Sequence, residues 1–221
     1  MDYSVVIPAF NAEPTIAAAI ESVLRQTVPP AEIVVVDDGS TDRTAEIAAA
    51  CDARVRLFRQ SNGGAGAAMT AAMRHVSLPI FASLDADDLW LPDKMAEQLA
   101  HLAEHPACDF VFSHLRTFRD DGVPTGAETV GPGWTRTTMT ARTEQALKIG
   151  DVVDPPGGRG EMIDWLARGR HLGLRMDMLE AVHAMRRIRP GSLSYGRSAE
   201  RDRGYARVAW LALQRRKGAL R

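Results

Sequence analysis

Cysteine is scarce: Cys51 and Cys108 are the two in a chain of 221 residues. Neither reads as part of a CxxC or Cys/His pattern, which argues against a disulfide framework and a metal-binding knuckle and for free, buried thiols in a reducing compartment. The six histidines (His75, His101, His105, His114, His171 and His183) show no pairing suited to a metal and read as structural. Net charge is only −1, so no global field points to nucleic acid or to a membrane. No apolar run approaches the length of a membrane span. The N-terminus enters a strand without a basic-then-apolar leader, which sets the expectation of a cytoplasmic protein. No internal repeat or low-complexity tract is visible. The first strand is not followed by a glycine-rich fingerprint, so a dinucleotide site is not indicated.

Apolar residues make up 45% and charged residues 25%, enough for a full core in one domain. The charge is unevenly spread. From Gly150 to Arg221 there are fifteen Lys/Arg against eight Asp/Glu, while Met1 to Ile149 has twelve against twenty. That asymmetry suggests two sub-regions, 1–115 and 116–221.

The first sub-region alternates strand and helix signals. Ser4 to Ile7, Ile33 to Val36, Val55 to Phe58, Ile80 to Leu84 and Asp109 to Ser113 are short apolar runs, as expected for strands covered on both faces. Between them lie helical stripes: Ile16, Ile20, Val23 and Leu24 after Pro14, the segment Thr44 to Ala50, an Ala/Met-rich stretch ending near His75, and Met95, Leu99 and Leu102 after Pro92. This rhythm predicts an α/β fold with a mainly parallel sheet and helices on both faces. Beyond about Leu115 the rhythm fades into a smaller, irregular region. There Arg119 to Gly122 reads as a hairpin turn, and Gly131 to Trp134 and Pro155 to Gly158 read as loops. A helix is expected from Glu161 to His171, two weaker strands at Leu174 to Met176 and Val182 to Ile188, and a basic helix from about Ala199 to Lys217.

In such sheets ligands gather at the carboxyl ends of the strands. Those ends carry Asn11 with Glu13, Asp37 with Asp38, and Asp85 with Asp87 and Asp88. Clustered carboxylates repel one another unless a cation sits among them, and a hard divalent ion with oxygen ligands answers that requirement. For Asp88, capping of the helix after Pro92 is an equally plain reading.

Three ordered segments, Val5-Val6-Ile7-Pro8-Ala9-Phe10-Asn11-Ala12-Glu13, Val34-Val35-Val36-Asp37-Asp38-Gly39-Ser40-Thr41-Asp42 and Leu84-Asp85-Ala86-Asp87-Asp88, resemble the family 2 glycosyltransferases with the GT-A fold, a Rossmann-like architecture. The resemblance is strong from Asp2 to about Ser113. It implies an inverting transfer from a nucleotide-diphosphate sugar to an acceptor hydroxyl, assisted by Mn²⁺ or Mg²⁺. It also implies roles: Pro8, Ala9 and Phe10 line the nucleobase and ribose pocket with Glu13 nearby, Asp38 reads the base edge, and Asp85 with Ala86 meets the ribose or a metal-bound water. Asp87 then holds the ion on the donor diphosphate, with Asp85 as its second acidic contact. Gly64 and Gly66, before a helix, offer backbone amides to a phosphate or the base, although a purely structural turn is the plainer reading.

On the acceptor side, Glu161 and Asp164 open a helix three residues apart on one face. The match to the family's acidic motif makes Glu161 the general base and Asp164 a supporting or acceptor-binding residue; first-turn acids that merely complement the helix dipole are the alternative. Trp165 reads as core. Where the family often carries a histidine, this chain has Arg189, which cannot ligate a metal but can neutralise a diphosphate. The terminal helix reads as a packed helix with a solvated basic face, peripheral contact with a membrane or an acidic partner being the second reading. The acceptor is left open among saccharides, lipids, natural products and peptides. The competing function is a non-catalytic sugar-nucleotide-binding or scaffold protein that retains the donor fold.

Overall fold

The computed structural model describes residues 1–119, 129–155 and 160–188, together with Val208, Trp210 and Leu211. The apolar runs become the strands β1 (Ser4–Ala9), β2 (Glu32–Asp37), β3 (Val55–Arg59) and β4 (Ile80–Ser83). Every residue of β1, β2 and β4 is buried, which explains why these runs are continuous rather than alternating. β1 pairs in parallel with β2 and β4, and β2 with β3. The helices between them are α1 (Ile16–Leu24), α2 (Thr44–Cys51), α3 (Ala65–His75) and α4 (Lys94–Glu104).

The sheet continues past β4 with strands from the later chain. These are β5 (Leu89–Trp90), β6 (Phe110–Arg119), β7 (Val130–Gly133), β8 (Thr140–Arg142) and β9 (Met176–Ile188). The order is β3-β2-β1-β4-β8-β6-β9-β5, with β7 also on β6. The pairing is mixed in this part: β8 is antiparallel to both β4 and β6, β9 is parallel to β6, and β5 is antiparallel to β9.

The later chain also carries helices α5 (Thr143–Ile149) and α6 (Glu161–His171). Side chains alternate across the strands, so neighbours on β1 serve different cores. Val5 and Ile7 pack with Ile16, Ile20, Met95 and Leu99 beneath α1 and α4. Val6 packs with Met69, Met73, Phe110 and Trp165 beneath α3 and α6. Burial of a side chain such as Ile20 or Met69 contributes about 1.5–3 kcal/mol. Trp165 is a core residue, as expected: it is fully buried, meets Phe110 edge-on and donates its indole N–H to the Gly150 carbonyl over 2.8 Å.

Several expectations need correction. Gly131 to Gly133 is not loop but part of β7, paired antiparallel with β6; its glycines and proline concealed the strand signal, and Gly133 is required because a Cβ there would lie 2.8 Å from the Ser113 carbonyl oxygen. The two weak strands after Leu174 are one strand, β9, and α5 was not anticipated. β6 and β7 pair antiparallel, but most of the turn expected at Arg119 to Gly122 lies outside the described residues, as do most of the terminal helix expected from about Ala199 to Lys217 and residues 156–159. No described helix is long and apolar enough to cross a membrane.

Candidate active site

The parallel strands end on one edge, and each delivers a polar turn. At the end of β2, Asp38 is almost fully buried. Its Oδ1 accepts the Gln60 side-chain amide at 2.7 Å and the Gly63 N–H at 2.9 Å, and its Oδ2 accepts the Gly64 N–H at 2.9 Å. A carboxylate has about four lone-pair sites, so these three bonds leave one. Asp38 therefore holds the loop before α3 in place and has one acceptor position left. Its own N–H donates to the Ala9 carbonyl at 2.8 Å, tying the end of β2 to β1.

Pro8 and Ala9 are buried, while Phe10 stands half-exposed on the same edge. The β1 turn is anchored on α2: Asn11, at φ +46°, accepts the Thr41 N–H, and Glu13 Oε2 accepts the Arg43 N–H at 3.0 Å at the start of that helix. The contact seen for Glu13 is thus a helix-end bond.

Gly64 takes φ +93°, and a Cβ there would fall 2.5 Å from Asp154 Oδ2. That same oxygen accepts the Gly66 N–H at 2.9 Å, while Asp154 Oδ1 is buried with no hydrogen-bond partner among the described residues. These glycines permit a close approach between the loop and a carboxylate from the later chain.

The acidic segment after β4 turns rather than running extended: the Asp88 N–H closes onto the Asp85 carbonyl at 3.0 Å. Asp85 and Asp87 stay partly open and Asp88 is buried. Asp88 is not a helix cap, since α4 begins only at Lys94. It accepts the Thr137 hydroxyl at 2.5 Å and the Arg187 N–H at 2.8 Å, and the Arg187 Nε donates to the Asp87 carbonyl at 2.9 Å. Burial, followed by the neighbouring Asp85 and Asp87 charges, holds the Asp88 carboxyl well above the usual range, against the pull of those two hydrogen bonds. Three crowded carboxylates, two of them accessible and all offering only oxygen, fit a hard divalent cation such as Mg²⁺ or Mn²⁺, with Asp85 and Asp87 as the residues able to hold it.

Sequence reasoning missed Arg136. It lies in a short 3-10 turn, Arg136–Thr138, between β7 and β8. Its Nε stands 2.9 Å from Asp85 Oδ1, and its Nη2 stands 3.7 Å from Glu161 Oε1. Burial works against its charge, but Asp85, Glu161 and Asp154 more than offset that and raise its pKa. Arg136 thus joins the acid after β4 to the first residue of α6. Thr137 adds a bond to Asp85 at 3.3 Å. Nothing in the polar run Thr135 to Thr140 signals this by spacing.

Asp164 pairs instead with Arg168 on its own helix at 3.1 Å, and Arg168 in turn reaches the Ile149 and Asp151 carbonyls. Arg189 lies outside the described residues; Arg187, two positions earlier, joins Arg136 against the acidic turn.

A family model described as glycosyl transferase family 2 matches residues 4–166. The chain belongs to this family. Among its relatives, an uncharacterized glycosyltransferase of Rickettsia felis is 41% identical over 113 residues, half of this chain and 18% of that protein. The Escherichia coli UDP-Glc:alpha-D-GlcNAc-diphosphoundecaprenol beta-1,3-glucosyltransferase WfgD is 36% identical over 104 residues, 46% of this chain and 41% of that one. The chain therefore spans less than half the length of these two family members. A solved structure of Staphylococcus aureus TarS, residues 1–349, in complex with UDP-GlcNAc superposes with a TM-score of 0.77 at 23% identity, covering 97% of this chain and 66% of that one. The GT-A type fold expected from the three motifs is the fold seen.

Proposed function

We propose that this family 2 chain transfers a glycosyl group, with inversion, from a nucleotide-diphosphate sugar to an acceptor hydroxyl. The observation that carries the proposal is Arg136. It gathers Asp85 from the donor half and Glu161 from the later half around one guanidinium.

In this reading the base and ribose lie against Pro8, Ala9 and Phe10 and meet the one remaining acceptor position of Asp38. The loop Gly63-Gly64 is preset by Asp38, and Asp154 Oδ1 offers a further acceptor to a donor N–H or hydroxyl. A Mn²⁺ or Mg²⁺ ion held by Asp85 and Asp87 supplies Lewis-acid stabilisation of the diphosphate leaving group. Glu161 takes the proton of the acceptor hydroxyl as its oxygen bonds to the anomeric carbon and the bond from that carbon to phosphate breaks, the electron pair leaving on the diphosphate. Arg136 orients Asp85 and Glu161 together, and Asp164 steadies the start of α6 through Arg168. The binding of UDP-GlcNAc and UDP by the S. aureus neighbour makes UDP-sugars the first donors to test.

The test is release of nucleoside diphosphate from a donor panel against mixed saccharide and lipid-linked acceptors, with Mn²⁺ or with chelator. Product anomers are read by proton NMR. Metal-dependent release with an inverted anomeric centre is expected. A retained configuration would remove Glu161 from its role, and donor binding without turnover on any acceptor would favour a binding protein.

A further inference from the structure

A second cluster of chemistry-bearing side chains lies on the opposite edge of the sheet. β6 runs in the same direction as β4, since β8 is antiparallel to both. The start of β6 is therefore remote from the acidic turn that follows β4. Three elements converge there: His101 from the last turn of α4, Cys108 two residues before β6, and Asp177, the second residue of β9.

His101 Nε2 is 2.8 Å from Asp177 Oδ2, and the donor atoms of His101, Cys108 and Asp177 all lie within 4.8 Å of one another. The Cys108 thiol now donates to the Phe110 carbonyl at 3.1 Å. The His105 ring stacks on His101 with centroids 4.1 Å apart. Cys108 is buried, His101 is one-fifth exposed, and Asp177 is nearly half exposed, so an ion has a way in. Sequence spacing gives no sign of this grouping, because the carboxylate comes from a strand 76 residues away from His101.

We propose that His101, Cys108 and Asp177 form a zinc-binding site, separate from the donor-side cation site, with the fourth position open to water beside His105. One nitrogen, one sulfur and one oxygen donor suit Zn²⁺, whereas Mg²⁺ and Ca²⁺ take oxygen shells. With Zn–S at ~2.3 Å and Zn–N at ~2.0 Å, tetrahedral ligand atoms stand about 3.5 Å apart, so side-chain adjustments of about 1 Å close the shell. The thiol proton passes to solvent as the thiolate binds. The site clips the end of α4 to the starts of β6 and β9.

The test uses the whole chain, stripped with chelator and titrated with Co²⁺ as a spectroscopic probe. One equivalent is expected to give a thiolate-to-cobalt charge-transfer band that Zn²⁺ abolishes by displacement. The band should vanish in Cys108→Ser and persist in Cys51→Ser and in Asp87→Ala. His101→Ala and Asp177→Asn should each weaken binding about tenfold or more. No band in the unmodified chain, or one that survives Cys108→Ser, overturns the site. Should Cys108→Ser fail to fold, unchanged affinity in both His101→Ala and Asp177→Asn overturns it equally.

Discussion

Arg136 stands 2.9 Å from Asp85 and 3.7 Å from Glu161, so one buried cation serves two acids from opposite halves of the chain. The second distance is an ion-pair separation, too long for a hydrogen bond. Arg136→Ala leaves those acids facing each other without compensation. Because Asp85 keeps a quarter of its side chain open to water, the expected loss is at the low end for a broken buried pair, about 3 kcal/mol in urea denaturation. Nucleoside diphosphate release should fall with it. Arg136→Lys should restore stability more than turnover, since an ammonium cannot reproduce the guanidinium fork.

Glu161→Gln keeps the size of the side chain and removes its basicity. Turnover should drop about 10²–10⁴-fold while donor affinity by calorimetry is kept. Equal losses in both would mean that Glu161 holds the site together rather than accepting a proton.

Asp87→Ala should lower kcat by about 100-fold or more and abolish the response to Mn²⁺. Its stability should change little, because its side chain is partly open to water. Metal-dependent turnover that survives the substitution would place the ion elsewhere.

Asp88 yields a prediction with a definite sign. Its folded-state pKa is raised by burial and by Asp85 and Asp87, so the folded state binds the proton more tightly than the unfolded state. That contribution to stability is full below the unfolded carboxyl pKa and is lost as pH rises through the raised folded value. In chelator, Asp88→Asn should flatten this decline and match or exceed the parent at neutral pH. A parallel pH profile for the two proteins would refute the assignment.

Lys94 is fully buried, with its Nζ 4.1 Å from the Trp90 ring and bonded to Gln98 and Thr140; no carboxylate pairs with it among the described residues. Burial holds its pKa well below the ordinary lysine value. The unfolded chain then takes up a proton that the folded chain refuses, so stability declines as pH falls from the unfolded pKa towards the folded one. The nearby buried His183 adds repulsion when both groups are charged. Lys94→Met should stabilise the protein by about 1 kcal/mol or more at pH 7, by an amount that shrinks at high pH. Destabilisation at every pH would show that the bonds to Gln98 and Thr140 outweigh the buried amine.

The first half of the chain was legible from sequence because its signals are local. Buried parallel strands are unbroken apolar runs, and β1, β2 and β4 appear where Ser4, Ile33 and Ile80 begin such runs. The strand-end rule then placed Asp38 and Asp85 on one edge. β7 was missed because Gly131, Pro132 and Gly133 read as turn residues, whereas their place at the sheet is decided by pairing with β6. Spacing put Asp164 on the same helical face as Glu161 in a supporting role, but its contact with Arg168 could be read only from the folded helix end.

By itself, then, the sequence determined the alternating architecture, the family and the acids at the strand ends. These depend on patterns repeated every two or 3.6 residues and on short ordered motifs. Only the tertiary structure decided what neutralises and completes those acids. Arg136 meets Asp85 because β8 joins β4; Asp154 meets the Gly66 amide across 88 residues; Asp177 meets His101 because β9 lies beside β6. Such partners are set by which strands become neighbours. A lone Arg or Asp carries no local pattern from which that neighbour can be read.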